Sequence, residues 1–336
     1  MVIAGLSTVV EWYDFTLYLY LATVLSRVFF GGGEQALLVT LAGFAVSYLM
    51  RPLGALWFGS LGHRIGRRWM LLASMNLMTA AMLATALLPT FASIGVSAGV
   101  LLLLLRCVMA FSVGGEYTGV VAYLLETAPV RRRGLVTSLA SAASEVGALL
   151  AVGVSALTVG LLSDAQLAAW GWRIPFFVGA ALAGVILVAR STLHESPEFI
   201  RQRQAGTVPT TPIRDTWRHH RAAVVRTFAV SALGSITYYV GITYVPAFLG
   251  SVSTLSEAAA LWLSTIAAVA VIVVTPLFGA FSDRIGRRPL LIALAVLSAL
   301  LPLGMFALMG EGGLVQVAVG AVVRGALAGG VRALGA

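Results

Sequence analysis

A short stretch rich in glycine and arginine occurs twice in this chain and limits the folds that the chain can adopt. The first Gly-Arg turn, GSLGHRIGRR, covers residues 59–68, and the second Gly-Arg turn, GAFSDRIGRR, covers residues 279–288. The two copies are 220 residues apart, and each separates two long apolar runs. A repeat of this length in so apolar a chain indicates two homologous halves of a membrane protein.

Apolar runs of about 20 residues recur from end to end, and each is long enough to cross a bilayer as a helix. Of the 336 residues, 59% are hydrophobic and 10% are charged, whereas soluble domains carry about 25% charged residues. A water-facing surface cannot be built from so few charges. We therefore predict an all-α integral membrane protein with several spans.

The basic residues indicate how the chain is oriented in the membrane. All 22 are arginines, against 13 acidic residues, and most of them cluster in alternate loops at 64–68, 131–133, 190–226 and 284–288. This is the positive-inside pattern, so the net charge of +9 reports topology rather than nucleic-acid binding. We predict a multi-pass protein of the cytoplasmic (inner) membrane, with the amino terminus and the 194–222 linker inside.

The apolar runs also predict the domain organisation. Residues 1–193 contain six spans and form a first transmembrane bundle, residues 194–222 form a cytoplasmic linker, and residues 223–336 form a partial second bundle. The repeat offset places Ala336 opposite Glu116, inside the fourth span. Two complete halves need about 440 residues by this logic, so we expect the last two spans to be absent.

Several short motifs sharpen the prediction beyond the repeated turn. They are EWYDF at 11–15, RPLG at 51–54, GGE at 114–116, WRIPF at 172–176, ESPEF at 195–199, the pair Tyr238-Tyr239 and YVP at 244–246. In this order they resemble the metabolite:proton symporter branch of the major facilitator superfamily, over about residues 5–310. The chain departs from that pattern at His63, where the family has an aspartate, and after Met309.

The resemblance implies a fold of two pseudo-symmetric helix bundles, the first complete with six spans and the second incomplete with about four. It also implies a secondary active transporter, driven by the proton gradient without a cofactor. Such a protein imports a small organic acid or zwitterionic metabolite, which binds near the bilayer midplane. We expect no enzymatic activity, no metal, no nucleic-acid partner and a monomer in contact with membrane lipid.

Ionisable residues inside the predicted spans are the candidates for proton coupling. An ionisable group at the centre of a span costs at least about 2.5–3.5 kcal/mol, so it needs a partner, a wet cavity or a function. Glu11, Asp14 and Tyr18 share one helix face by their i, i+3, i+7 spacing. Asp14, Glu116 and Glu11 are candidate proton carriers, and the alternative is a structural hydrogen-bonding role.

Arg106 is a candidate anchor for an anionic substrate because its planar guanidinium matches a carboxylate. The alternative is a buried ion pair with Asp14, Glu116 or Glu145, and the sequence leaves these partners open. Gly114-Gly115 is also consistent with close helix packing. Tyr18, Tyr238 and Tyr239 are further candidates for the substrate cavity, while Tyr244 suits a membrane interface.

The two Gly-Arg turns are expected to act as gating loops that latch neighbouring helix ends on the cytoplasmic side, besides holding those loops inside. The residues concerned are Gly59, His63, Arg64, Gly66, Arg67, Arg68, Gly279, Asp283, Arg284, Gly286, Arg287 and Arg288. Asp283 can serve as a hydrogen-bond acceptor at a helix end. His63 can do so only when it is neutral, so the latch of the first half is the weaker expectation.

Two alternative functions stay open at the level of sequence. One is a membrane-inserted remnant that does not transport, and the other is a drug efflux antiporter driven by protons. ATP-driven pumping is unsupported because the chain contains no Walker-type glycine loop. The single cysteine, Cys107, excludes an intrachain disulfide.

Overall fold

The computed structural model describes residues 2–240, 257–311 and 314–335, and within these ranges the chain is helical without any strand. The predicted all-α class is therefore confirmed. The helices are α1 (Val2–Tyr20), α2 (Ala22–Phe30), α3 (Glu34–Tyr48), α4 (Met50–Arg64), α5 (Arg67–Leu87), α6 (Phe91–Ile94), α7 (Val96–Thr127), α8 (Arg133–Leu161), α9 (Asp164–Gln166), α10 (Arg173–Ser191), α11 (Pro197–Gln204), α12 (Pro212–Tyr238), α13 (Glu257–Ile285), α14 (Arg287–Glu311) and α15 (Leu314–Gly335).

Length and hydropathy identify the helices that can cross a membrane. Six stretches of the described residues qualify: Glu34–Arg64, Arg67–Leu87, Val96–Thr127, Val130–Leu161, Arg173–Ser191 and Thr265–Ile285. Five of them fall in the first bundle that the sequence predicts. The chain is thus a multi-pass helical membrane protein.

The chain forms two compact units. The first consists of Met1–Thr127 and Gly147–Ile213, and the second of Ala128–Val146 and Arg214–Ala336. Helix α8 therefore begins in the second unit and ends in the first. Helix α12 is interrupted at His220, where φ is −127° and ψ is 19°, close to the end of the predicted linker. The limits of 1–193, 194–222 and 223–336 stay predictions of bundle organisation.

The two Gly-Arg turns have the same backbone design. In the first, α4 ends at Arg64 and α5 begins at Arg67; in the second, α13 ends at Ile285 and α14 begins at Arg287. The glycine between the helices has a φ of 109° at Gly66 and 100° at Gly286. Only glycine adopts such angles without steric cost, which explains why both copies carry a glycine at this position.

Close backbone contacts hold α7 against α4 in the first unit. A Cβ atom added to Gly114 would lie 2.1 Å from the carbonyl oxygen of Arg51, and one added to Gly54 would lie 1.9 Å from that of Phe111. A Cβ on Gly115 would lie 2.1 Å from the Cβ of Phe58. These glycines bring the two helices together, as small residues do in membrane helix pairs.

We expect Gly114→Ala to lower the stability of the protein by about 1–3 kcal/mol, because the added methyl group meets a backbone carbonyl that cannot move without shifting α4. Gly160→Ala on α8 is the matched control, since no atom lies within 4 Å of its added Cβ. Thermal unfolding of both variants in the same detergent measures the difference. Equal melting temperatures would show that the close packing of α4 on α7 is not limiting.

Candidate functional site

An ion pair between α1 and α7 lies at the centre of the first unit. Nη1 of Arg106 donates to both carboxylate oxygens of Asp14, at 2.9 and 2.7 Å. Asp14 and Arg106 are only 3% and 5% exposed. The Arg106 guanidinium also lies over the ring of Tyr18, with Cζ 4.6 Å from the ring centroid. Of the partners that the sequence left open, the structure places Asp14 against Arg106.

The local sequence explains this arrangement. Asp14 and Tyr18 are four residues apart and therefore lie on the same face of α1. The ring of Phe44 from α3 stacks on Tyr18 at 5.3 Å between centroids, and it also lies 5.7 Å from Cζ of Arg106. The hydroxyl of Tyr18 donates to the carbonyl oxygen of Thr40 at 3.2 Å. The ion pair is thus enclosed by aromatic rings that fix its position.

Glu11 lies one turn earlier on α1 and has a different partner. Nη1 of Arg51 on α4 approaches its Oε1 at 3.4 Å. The Arg51 guanidinium also lies over the ring of Tyr48, 4.4 Å from the centroid, and 5.5 Å from that of Phe15. The side chain of Arg51 is 21% exposed, so this pair is less enclosed than the pair of Asp14.

A second buried cluster surrounds Glu116 on α7. Nη2 of Arg190 on α10 lies 2.6 Å from Oε1, and the hydroxyl of Ser74 on α5 donates to Oε2 at 2.5 Å. Arg190 also donates to the carbonyl oxygen of Leu71 at 3.0 Å and to the hydroxyl of Ser7 on α1. Glu116 and Arg190 have no exposed surface. This cluster ties four helices of the first unit together.

Arg190 was not among the predicted site residues. In the sequence it was grouped with the arginine cluster at 190–226, and the structure places it in the last turn of α10. The signal that could have identified it is its place within a predicted span, where an arginine needs a partner.

A third cluster lies in the second unit and involves Tyr238. The carboxylate of Glu145 on α8 binds Arg332 of α15 and accepts a hydrogen bond from the Tyr238 hydroxyl at 3.2 Å. The Arg332 guanidinium lies over the Tyr238 ring, with Cζ 4.0 Å from its centroid. The ring of Tyr239 contacts that of Tyr238 at 5.9 Å and is exposed. The resemblance to known transporters had given no role to Glu145.

The repeat relates the first and third clusters. Tyr238 is 220 residues beyond Tyr18, the same offset that separates the two Gly-Arg turns. Each tyrosine lies beneath an arginine that is itself paired with a carboxylate. Tyr244 lies outside the described residues.

The first Gly-Arg turn is held by a carboxylate from the ESPEF motif. The Oε1 atom of Glu195 accepts hydrogen bonds from the backbone N–H groups of Arg67 and Arg68, with N···O distances of 2.8 and 3.1 Å. The carboxylate thus caps the start of α5. The Arg67 side chain binds Glu126 at 3.1 Å. His63 is partly buried and Arg64 is exposed, while Gly59 has open space around its Cα.

The second Gly-Arg turn is held differently. The carboxylate of Asp283 accepts the backbone N–H groups of Gly134 and Leu135, at 2.7 and 3.0 Å, at the start of α8. Gly279 packs on the same helix, because its added Cβ would lie 2.1 Å from the hydroxyl of Ser138. Asp283 is thus placed as an acceptor at a helix end. Arg284, Arg287 and Arg288 are exposed.

Residues 4–336 match the sequence model of the Major Facilitator Superfamily. A proline/betaine transporter of Salmonella typhimurium is 33% identical over 300 residues, which cover 86% of this chain and 60% of that protein. An alpha-ketoglutarate permease of Escherichia coli K12 is 35% identical over 301 residues, covering 88% of this chain and 68% of the permease. The chain therefore spans about three fifths to two thirds of the length of these relatives.

The solved structure of the proton:xylose symporter XylE bound to 6-bromo-6-deoxy-D-glucose has the same fold. It superposes with a TM-score of 0.77 at 21% identity, covering 99% of this chain and 80% of that one. The relatives are transporters rather than enzymes, and the resemblance found in the motifs is confirmed. With a match over nearly its whole length, this chain belongs to the Major Facilitator Superfamily.

Proposed function

We propose that this protein is a secondary active transporter that carries a small organic acid or zwitterion together with protons across the cytoplasmic (inner) membrane. Its relatives support this substrate range, since one is named for proline and betaine and another for alpha-ketoglutarate. A structural neighbour is a proton:xylose symporter. The protein needs no cofactor, because the proton gradient supplies the driving force.

The observation that carries the proposal is the buried pair of Asp14 and Arg106. Both side chains are almost fully enclosed, and the carboxylate is held at hydrogen-bond distance. Protonation of Asp14 removes its negative charge and leaves the guanidinium of Arg106 without a counter-charge. An unpaired buried charge is unfavourable by several kcal/mol, so a substrate carboxylate is favoured in its place. Proton and substrate binding are thereby coupled.

In this scheme Asp14 is the proton carrier and Arg106 is the substrate anchor, with Tyr18 positioning the guanidinium. Glu116 is the less suitable carrier, because Arg190 and Ser74 engage both of its oxygens. Its main role in the proposal is structural. Glu11 is a secondary candidate whose partner, Arg51, is partly exposed.

We further propose that the two Gly-Arg turns act as gating loops and that the protein works as a monomer. The contact of Asp283 with the start of α8 is the latch of the second turn. For the first turn, the geometry favours Glu195 as the acceptor, because it already binds the backbone of Arg67 and Arg68. The arginines of these loops would hold them on the cytoplasmic side.

We expect Asp14→Asn to reduce accumulation of substrate against a gradient at least tenfold while counterflow exchange persists, because the amide cannot carry the proton. The matched control is Asp164→Asn, whose carboxylate is 86% exposed and paired with Arg27 on the surface. Uptake of labelled proline, betaine, alpha-ketoglutarate and butanoate into proteoliposomes, with and without a proton gradient, measures both activities. Accumulation by Asp14→Asn at the wild-type level would exclude Asp14 as the carrier.

Arg106→Lys tests the anchor separately. Lysine keeps the positive charge but loses the planar guanidinium that matches a carboxylate, so the apparent affinity for the transported substrate should fall about tenfold. Concentration dependence of counterflow provides the affinity. An unchanged value would remove Arg106 from the substrate site and leave it as the counter-ion of Asp14. Substrate-dependent alkalinisation of the medium distinguishes symport from efflux by antiport.

The orientation is tested by single cysteines in a Cys107→Ser background. We expect Gln202→Cys, in the arginine-rich linker, to resist an impermeant thiol reagent in intact cells and to react after the cells are opened. Ser253→Cys, which lies outside the described residues, should react in intact cells. The opposite labelling pattern would reverse the proposed topology.

A further inference from the structure

Arg324 lies near the middle of α15 and is only 3% exposed. Its Nη2 donates to the carbonyl oxygen of Val240 at 2.5 Å, and its Cζ lies 3.5 Å from the centroid of the Phe306 ring. Neither Nε nor Nη1 finds a hydrogen-bond acceptor in the part of the chain that the structure describes. Arg324 is thus a buried cation with two donor nitrogens, Nε and Nη1, that have no acceptor among the described residues.

Three other arginines, of which Arg106 and Arg190 are buried and Arg332 is 17% exposed, differ from Arg324 in having an acidic partner. Arg106 binds Asp14, Arg190 binds Glu116 and Arg332 binds Glu145, so each has a carboxylate. In the second unit, the carboxylate of Glu145 is engaged by Arg332, and that of Asp283 is engaged at the start of α8. A neutral carbonyl and an aromatic ring only partly compensate a buried charge. The charge of Arg324 therefore favours an additional anion.

A cavity of about 220 Å³ lies beside Arg324, between α12, α14 and α15. Its walls are mostly aliphatic, with Ile236, Ala299 and Leu327 among them. Ser298 also lines it, and the Ser298 hydroxyl is buried without a hydrogen-bond partner among the described residues. Two unsatisfied polar side chains thus border one apolar cavity, and buried polar groups otherwise find partners.

We propose that Arg324 and Ser298 form a binding site for the carboxylate of a small monocarboxylic acid, whose apolar body fills the cavity. The guanidinium supplies the charge and N–H donors, and the serine hydroxyl supplies a further donor. Binding pockets of drug-sized ligands measure about 300–1,000 Å³, so the ligand of this cavity is smaller. The proposal rests on the proposed function and narrows its substrate class.

The lining residues determine which charge types fit. Among the described lining residues, Arg324 is the cation, and none is an acid that could pair with an ammonium group. No aromatic side chain is found among the lining residues that the structure describes, which disfavours quaternary ammonium compounds such as betaine. A dicarboxylate would bring a second negative charge into the cavity, and the described lining residues provide no second cation to pair with it. The site thus selects a single carboxylate, and it can accept one without prior protonation of a paired acid, unlike Arg106.

The test is binding of radiolabelled butanoate to the full chain in lipid nanodiscs. The wild type should bind butanoate saturably and at least tenfold more tightly than butanamide, glycine betaine or alpha-ketoglutarate. Arg324→Gln should reduce the affinity for butanoate at least tenfold, and Arg324→Lys should reduce it less. Ala299→Phe fills the cavity while leaving Arg324 intact, and it should also abolish binding.

The matched control is the double variant Glu145→Gln/Arg332→Gln, which removes both members of the ion pair between α8 and α15, the helix of Arg324, and should bind butanoate like the wild type. Wild-type affinity in both Arg324→Gln and Ala299→Phe would overturn the proposal. So would an absence of butanoate binding to the wild type. Coupled uptake that persists without butanoate binding refutes this site alone, whereas binding without any uptake refutes the transport function alone.

Discussion

The pairing of charges inside an apolar medium is the constraint on which the rest of this structure depends. Asp14 with Arg106 joins α1 to α7, Glu116 with Arg190 joins α7 to α10, and the carboxylate of Glu145 joins α8 to α15. Removing one member of a buried pair costs about 3–5 kcal/mol, because the other charge is left without compensation. The register of these helices is therefore set by a few pairs as much as by the many apolar contacts between them.

Close packing makes these pairs geometrically attainable. Lipid tails are as apolar as leucine, so the hydrophobic effect does little to press helices together within a bilayer, and small residues at the contacts take over part of that role. Gly54 and Gly114 let α4 and α7 approach so closely that the backbone of each helix occupies the space that a side chain on the other would need. Helix α7, which this packing positions, carries both Arg106 and Glu116. The glycine that packs α7 against α4 therefore also helps to position the two charged residues of α7.

Much of the fold follows from the sequence, because apolar runs and glycine turns are local features. The two Gly-Arg turns appear where the sequence predicts them, and the positive φ of Gly66 accounts for that residue in the motif. Charge partners are a different matter, since they depend on which helices meet. The sequence left Asp14, Glu116 and Glu145 as possible partners of Arg106. The packing of α1 on α7 determines that the partner is Asp14. Arg190 was missed for the same reason, because its partner Glu116 lies 74 positions away in the chain.

The buried arginines fall into two classes with different consequences for transport. Arg106 is paired with Asp14 within the protein. In the proposed mechanism it accepts an external carboxylate only when that aspartate takes up a proton. Arg324 is not neutralised by a described carboxylate, so binding an anion there removes an imbalance without any proton. In the proposed mechanism, the Arg324 site attracts and selects the substrate, while the pair of Asp14 and Arg106 couples substrate binding to protonation. Together they keep the buried charge of the protein constant when one proton accompanies one monocarboxylate, which is the charge balance that an electroneutral symporter requires.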